Sequence, residues 1–168
     1  KSGTWFVRRS KDAKAEITKF GEPGDVPVAA DYDGDGKNDI AIWRPADGVW
    51  WRINSSNGQL DAYQFGLNGD IPAPGDFDGD GKTDQGIYRP AGGEWYITRS
   101  SDFSIFGTQW GIAEDIPVPG DYDGDWRIDP AVYRPSSTEW FLLKSNDGTT
   151  IETFGFLGDI PTPGAYVR

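Results

Sequence analysis

Three acidic nonapeptides recur along the 168-residue chain: DYDGDGKND at 31–39, DFDGDGKTD at 76–84 and DYDGDWRID at 121–129. Each keeps Asp at its first, third, fifth and ninth positions, and successive copies start 45 residues apart. Four carboxylates held in one tight loop repel one another unless a hard cation sits among them. Ca²⁺ takes roughly six to eight oxygen ligands in irregular geometry and is the expected occupant. The chemistry the sequence advertises is therefore oxygen-only metal binding, one ion per loop and about three Ca²⁺ per chain.

The remaining composition narrows the function classes. The chain is 26% charged, 36% hydrophobic and 14% aromatic, too apolar and aromatic for a disordered acidic tail. Its formal charge of −11 is dominated by the three loops, which hold 12 of the 27 acidic residues. Three divalent ions would reduce that charge to about −5, an ordinary surface value. No basic patch points to nucleic acid, and no apolar run is long enough for membrane insertion. His, Cys and Met are absent. Without His or Cys most nucleophilic and general-base constellations are missing, and no Ser stands in a Gly-x-Ser-x-Gly elbow, so the expectation is not an enzyme, with no catalytic residues. Weak calcium sites fill where free Ca²⁺ is near millimolar, which implies an extracellular location, secreted or at the cell surface. The chain opens on Lys1 and reads as a processed or excised piece of a longer product.

The elements that must position the loops repeat with them. Asp25-Val26-Pro27, Asp70-Ile71-Pro72, Asp115-Ile116-Pro117 and Asp159-Ile160-Pro161 precede the loop positions, and IAIWRP, QGIYRP and PAVYRP follow the three loops. Next come aromatic runs opening at Trp5, Trp50, Trp95 and Trp140, then segments closing in Phe20-Gly21, Phe65-Gly66, Trp110-Gly111 and Phe154-Gly155. Short β-branched and aromatic runs bounded by Gly, Pro, Asn and Asp are strands. Four strands per repeat of about 45 residues is the size of a propeller blade. The expectation is a single all-β, β-propeller-like domain over 1–168, built of blades of four antiparallel strands. Three blades are complete, at about 25–66, 70–111 and 115–156. A composite fourth blade would join residues 1–21 to 159–168, where GAYVR echoes the AVYR of Ala131–Arg134. The expected strands of the second blade run over Ile71–Asp76, Gln85–Arg89, Glu94–Arg99 and from Ser104 to Trp110-Gly111. Three ways of completing the terminal blade stay open: closure within one chain, membership of a longer array, or donation of a strand by a neighbouring copy.

The acidic loop between two strands, the closing Phe-Gly, and the consensus of the copies, GDIPVPGDYDGDG…AVYRPS…EWYI, resemble FG-GAP or VCBS-type repeats of the secreted bacterial type. The resemblance covers nearly the whole chain and implies an integrin-α-like, calcium-bearing propeller; it implies little about a ligand. An EF-hand is excluded, since the twelfth loop position, where a bidentate Glu is needed, holds Ile42, Ile87 and Val132. The expected ligands of the first loop are the carboxylates of Asp31, Asp33, Asp35 and Asp39 with the backbone carbonyl of Lys37. The second uses Asp76, Asp78, Asp80, Asp84 and the carbonyl of Lys82; the third uses Asp121, Asp123, Asp125, Asp129 and the carbonyl of Arg127. Trp126 stands where Gly36 and Gly81 stand, and a positive φ there would strain the loop and weaken its site.

The other repeated residues read as architecture. Trp50, Trp95 and Trp140 are assigned to packing between blades, and Arg44, Arg89 and Arg134 to ion pairs with an acid such as Asp70 or Asp115, or to stacking on an aromatic ring. Trp43, Trp51, Trp110 and above all Trp126, which do not repeat, are the candidate ligand-facing aromatics. Two functional readings follow: a calcium-stabilised binding or adhesion module, lectin-like, that recognises an extracellular glycan or protein; and a structural spacer or self-assembling subunit completed by strand sharing between copies.

Overall fold

The computed structural model describes residues 3–162. Among these residues every regular element is a strand and every pairing is antiparallel. Strands β3 (Val26–Pro27), β4 (Ile40–Arg44), β5 (Val49–Ile53) and β6 (Leu60–Gln64) form one four-stranded sheet in sequence order. The same meander recurs in β7 (Ile71–Pro72), β8 (Gln85–Arg89), β9 (Glu94–Thr98) and β10 (Ile105–Gln109). It recurs again in β11 (Ile116–Pro117), β12 (Ala131–Arg134), β13 (Glu139–Lys144) and β14 (Gly148–Thr153). A fourth, two-stranded sheet pairs β1 (Thr4–Arg8) with β2 (Ala15–Lys19). No helix is long and apolar enough to cross a membrane among the described residues.

The blades thus fall where the repeat places them, with one difference. The first strand of each is two residues of ladder rather than the six expected over Ile71–Asp76. Proline supplies no N–H to a ladder, and Pro72 and Pro74 interrupt this segment. Between the two prolines Ala73 N–H donates to Gly86 O, and past them an isolated bridge joins Gly75 to Asp84. The composite fourth blade is not assembled among the described residues: β1 and β2 pair only with each other, and 159–162 form no strand. Its remaining segment, 163–168, lies outside the described residues.

The repeated tryptophans have a specific task. Indole N–H groups of Trp5, Trp50, Trp95 and Trp140 donate to the carbonyls of Phe20, Phe65, Trp110 and Phe154 at 2.8–3.1 Å. Each ties the third strand of its blade to the aromatic-Gly that closes the fourth. The glycine after that aromatic has φ between 97° and 138° at Gly21, Gly66, Gly111 and Gly155, a left-handed conformation that a side chain would strain. Trp50 and Trp95 are buried as expected, while Trp140 in the last blade is half-buried.

Blades stack through side chains lent by the next one along. The core of Val28, Tyr32, Trp43 and Trp50 takes in Ile87 and Tyr96 from the second blade. That of Ala73, Tyr88 and Trp95 takes in Val132 and Phe141 from the third. Arg44, Arg89 and Arg134 lock the blade entrance, each donating Nε and one terminal nitrogen to the two oxygens of Asp25, Asp70 and Asp115 at 2.8–3.0 Å. Both expected roles are realised at once, because the guanidiniums also lie over the rings of Trp51, Tyr96 and Phe141.

Candidate metal centres

Each acidic loop spans the gap between the first and second strands of its blade, and it is drawn around its own first residue. Asp31 accepts the N–H groups of Gly34 and Gly36, Asp76 those of Gly79 and Gly81, and Asp121 those of Gly124 and Trp126, all at 2.6–3.0 Å. Gly34, Gly36, Gly79, Gly81 and Gly124 all have φ near 80°. Trp126 adopts the same conformation at φ 73° with 76% of its surface exposed, as the sequence anticipated for a residue in that place. Holding a bulky side chain there costs on the order of 1 kcal/mol. Trp126→Gly is therefore expected to raise the urea midpoint of unfolding, worth about 1 kcal/mol, with an unchanged m-value.

The ninth residue anchors the loop to the sheet. Asp39, Asp84 and Asp129 are buried, and both oxygens of each are fixed by backbone donors: Tyr32 and Ser55, Phe77 and Ser100, Tyr122 and Ser145, at 2.6–3.0 Å. Burial raises all three carboxyls above the usual range, Asp84 to about 6. Neighbouring carboxylates push the same way, Asp33 and Asp31 on Asp39 and Asp78 on Asp84. A charge that is costly to keep without a counter-ion is poised for a cation.

The first, third and ninth positions converge in every loop. Carboxylate oxygens of Asp31, Asp33 and Asp39 lie within 4.8 Å of one another, as do those of Asp76, Asp78 and Asp84, and of Asp121, Asp123 and Asp129. Two oxygens bound at about 2.4 Å to one ion can stand no farther apart than roughly that distance. The donor set is all oxygen, so it fits a hard cation and not one that demands imidazole or thiolate.

The fifth position stands outside these trios. Asp35 pairs with Lys37 Nζ at 2.5 Å and accepts the Ser55 hydroxyl at 2.8 Å, contacts that hold its carboxyl below the usual range. Asp125 accepts from the Ser145 hydroxyl and Asn146 Nδ2, both at 2.7 Å. Asp80 accepts the backbone N–H of Lys82 at 2.8 Å and donates its own amide to Asp78 at 3.2 Å. Lys37 and Arg127 likewise donate their amides to Asp35 and Asp125.

A second tier of residues went unread in the sequence. Ser55-Ser56, Ser100-Ser101 and Ser145-Asn146 follow the third strand of each blade and fold over the acidic loop. Hydroxyls of Ser56 and Ser101 donate to Asp33 and Asp78 at 2.7 and 2.6 Å, and Asn146 N–H donates to Asp123 at 3.0 Å. The signal was present as a small polar pair recurring every 45 residues.

Consecutive loops also touch. Thr83 N–H donates to Asp31 O at 2.7 Å and Ile128 N–H to Asp76 O at 2.8 Å, so the first residue of one acidic loop is bonded to the next blade's loop. Between the first two loops lies a cavity of about 350 Å³, with Asp31, Asn38, Asp76, Lys82, Thr83 and Ile128 in its wall.

Fold and site together define the class: an all-β repeat protein of propeller-like blades, each carrying an acidic loop between its first two strands. Residues 31–85, from the first acidic loop to the opening residue of β8, match the family described as FG-GAP-like repeat. No curated protein matches the chain. Among solved structures it is similar to selenomethionine-substituted virginiamycin B lyase from Staphylococcus aureus, with a TM-score of 0.59 and 13% identity. A second, titled as a streptogramin B lyase structure, gives a TM-score of 0.58 and 13% identity. The alignments cover 98% of this chain and 51% and 50% of those chains, so it spans about half their length. At this identity the likeness concerns the fold alone.

Proposed function

We propose that the chain is a calcium-stabilised extracellular binding or adhesion module, not an enzyme, that recognises a glycan or protein on its loop-bearing side. The observation that supports this most is the threefold convergence of three Asp oxygens, hydrogen-bonded from behind by backbone amides so that the carboxylates are aimed before an ion arrives. Asp35, Asp80 and Asp125, with the carbonyls of Lys37, Lys82 and Arg127, complete the shells by small turns of the loop. Calcium would supply charge neutralisation and would knit neighbouring blades, since Asp31 and Asp76 are bonded to the following loop. The cavity between loops, with Lys82 and Thr83 beside acidic groups, offers the mixed polar lining that sugar hydroxyls take. Trp43, a candidate ligand-facing aromatic, is 1% exposed and belongs to the core; Trp126 is the exposed aromatic of the loop face.

Titration calorimetry should find about three Ca²⁺ per chain, one for each loop. A glycan array probed with and without calcium should give hits that need calcium and weaken in Lys82→Ala. Fewer than two ions at millimolar calcium rejects the metal reading. Calcium binding without any calcium-dependent glycan or protein ligand rejects the recognition reading alone.

A further inference from the structure

We infer that the three acidic loops take up calcium cooperatively, the third coupled to the second and the second to the first, through peptide groups that each serve two loops. The inference rests on the metal reading proposed above.

The peptide joining Lys82 to Thr83 is the clearest case. Its N–H donates across the blade boundary to Asp31 O at 2.7 Å. None of the described peptides is cis, so the Lys82 carbonyl leaves the opposite edge of the same planar group, turned away from the first loop. That carbonyl is an expected ligand of the second loop. The accepting side continues in the same way. Asp31 O belongs to the peptide whose N–H, that of Tyr32, donates to Asp39 Oδ2 at 2.9 Å. Asp39 is the buried ninth residue of the first loop and one of its converging trio. Two hydrogen-bonded peptides in series thus run from a ligand position of the second loop to a carboxylate of the first.

The pattern recurs one blade further on. Ile128 N–H donates to Asp76 O at 2.8 Å, and Phe77 N–H, on the far edge of that peptide, donates to Asp84 Oδ2 at 2.8 Å. Side chains fasten the same contacts. A Cβ at Gly34 would stand 2.9 Å from Lys82 Cε, and one at Gly79 would stand 3.1 Å from Arg127 Cγ. The stem of each cation therefore lies directly across the preceding loop, and a shift in one loop must move the other.

Seating the Lys82 carbonyl on an ion fixes its peptide plane and strengthens the N–H donor on the opposite edge, and bonds in series polarise one another in the same sense. Tyr32 N–H then holds Asp39 more firmly in the ionised, aimed state that the first loop needs. Coupling of this kind is reciprocal, so filling the first loop favours the second by the same factor. Charge by itself acts in the opposite direction, because two divalent ions repel each other. The sign of the coupling separates the peptide relay from mere proximity.

A calcium titration of the whole chain, followed through the amide resonances of Gly36, Gly81 and Gly124, reads the three loops separately. Asp78→Asn, with Asp80→Asn added if the second loop still fills, should lower the calcium affinity of the first and third loops by at least about fivefold, the low end of usual site-to-site couplings. Asp33→Asn combined with Asp35→Asn empties the first loop. In that variant, filling the second loop should still move the Tyr32 amide proton downfield, a response that packing alone does not give. Affinities unchanged or raised in the Asp78 variant, or a Tyr32 resonance indifferent to the second loop, would overturn the coupling while leaving the calcium sites in place. Amides of the parent chain that ignore millimolar calcium would sink the metal reading itself, and the coupling with it.

Discussion

Removing calcium with a chelator is expected to lower the melting temperature by roughly 15–30 °C. Each site held at a hundredfold excess over its dissociation constant contributes about 2.7 kcal/mol, so three contribute roughly 8 kcal/mol. At this chain length one kcal/mol is worth about 2–4 °C. The structural ground is that Asp39, Asp84 and Asp129 are buried beside other carboxylates, so the ion-free fold carries clustered charge that the ion relieves. Asp78→Asn separates this from ordinary packing. Asp78 accepts from the Ser101 hydroxyl and the Asp80 amide, contacts an amide side chain can largely keep. In chelator the variant should melt with the parent; in calcium it should lose at least about a third of the metal-dependent shift, the share of one site of three. A calorimetric scan in which chelator moves neither protein would remove metal binding as the purpose of the loops.

How much of this was legible in the sequence depends on whether a feature is local or shared between blades. The 45-residue period placed every four-stranded sheet, and β8 coincides with its expected span at Gln85–Arg89. Alternation and turn residues act within a few positions, so they survive in a linear string. The short first strands could have been read from Pro72 and Pro74, whose missing N–H groups forbid a longer ladder. The first, third and ninth Asp of each loop were legible as a cluster because the loop closes on itself. The Ser55-Ser56 clamp was legible only as a recurring polar pair, and its targets Asp33 and Asp35 were not, since it reaches them across 20 to 23 residues and depends on strand register. Nor was the burial of Trp43: it looked unrepeated because its equivalents are Tyr88 and Tyr133, which fill the same core position with another ring.

Arg89→Met is expected to cost about 3–5 kcal/mol, the usual penalty for stranding one partner of a buried ion pair. Asp70 has 2% of its side chain exposed and takes two charged hydrogen bonds from Arg89, at 2.8 and 2.9 Å. After the change it keeps only the Leu67 amide at 2.8 Å. Methionine preserves some stem packing but forfeits the guanidinium stacked 4.7 Å from the Tyr96 ring centroid. Arg89→Lys should recover less than half of the loss, because an ammonium cannot make the two-pronged contact. Asp70→Asn added to Arg89→Met should recover part of it by discharging the stranded carboxylate, which marks the penalty as electrostatic rather than steric. The pH dependence has a definite sign at the homologous pair, where the hydrogen bond from Arg44 holds the Asp25 carboxyl below its ordinary value of 3.8. A depressed folded pKa means that the pair's contribution is whole above that ordinary value and is lost as pH falls through the depressed one. Urea unfolding of the Arg44→Met variant should therefore show its full deficit at neutral pH and a shrinking one below about pH 4. A deficit under 1 kcal/mol at neutral pH in both arginine variants would mean that neither the ion pair nor the guanidinium stacking holds the blade entrance.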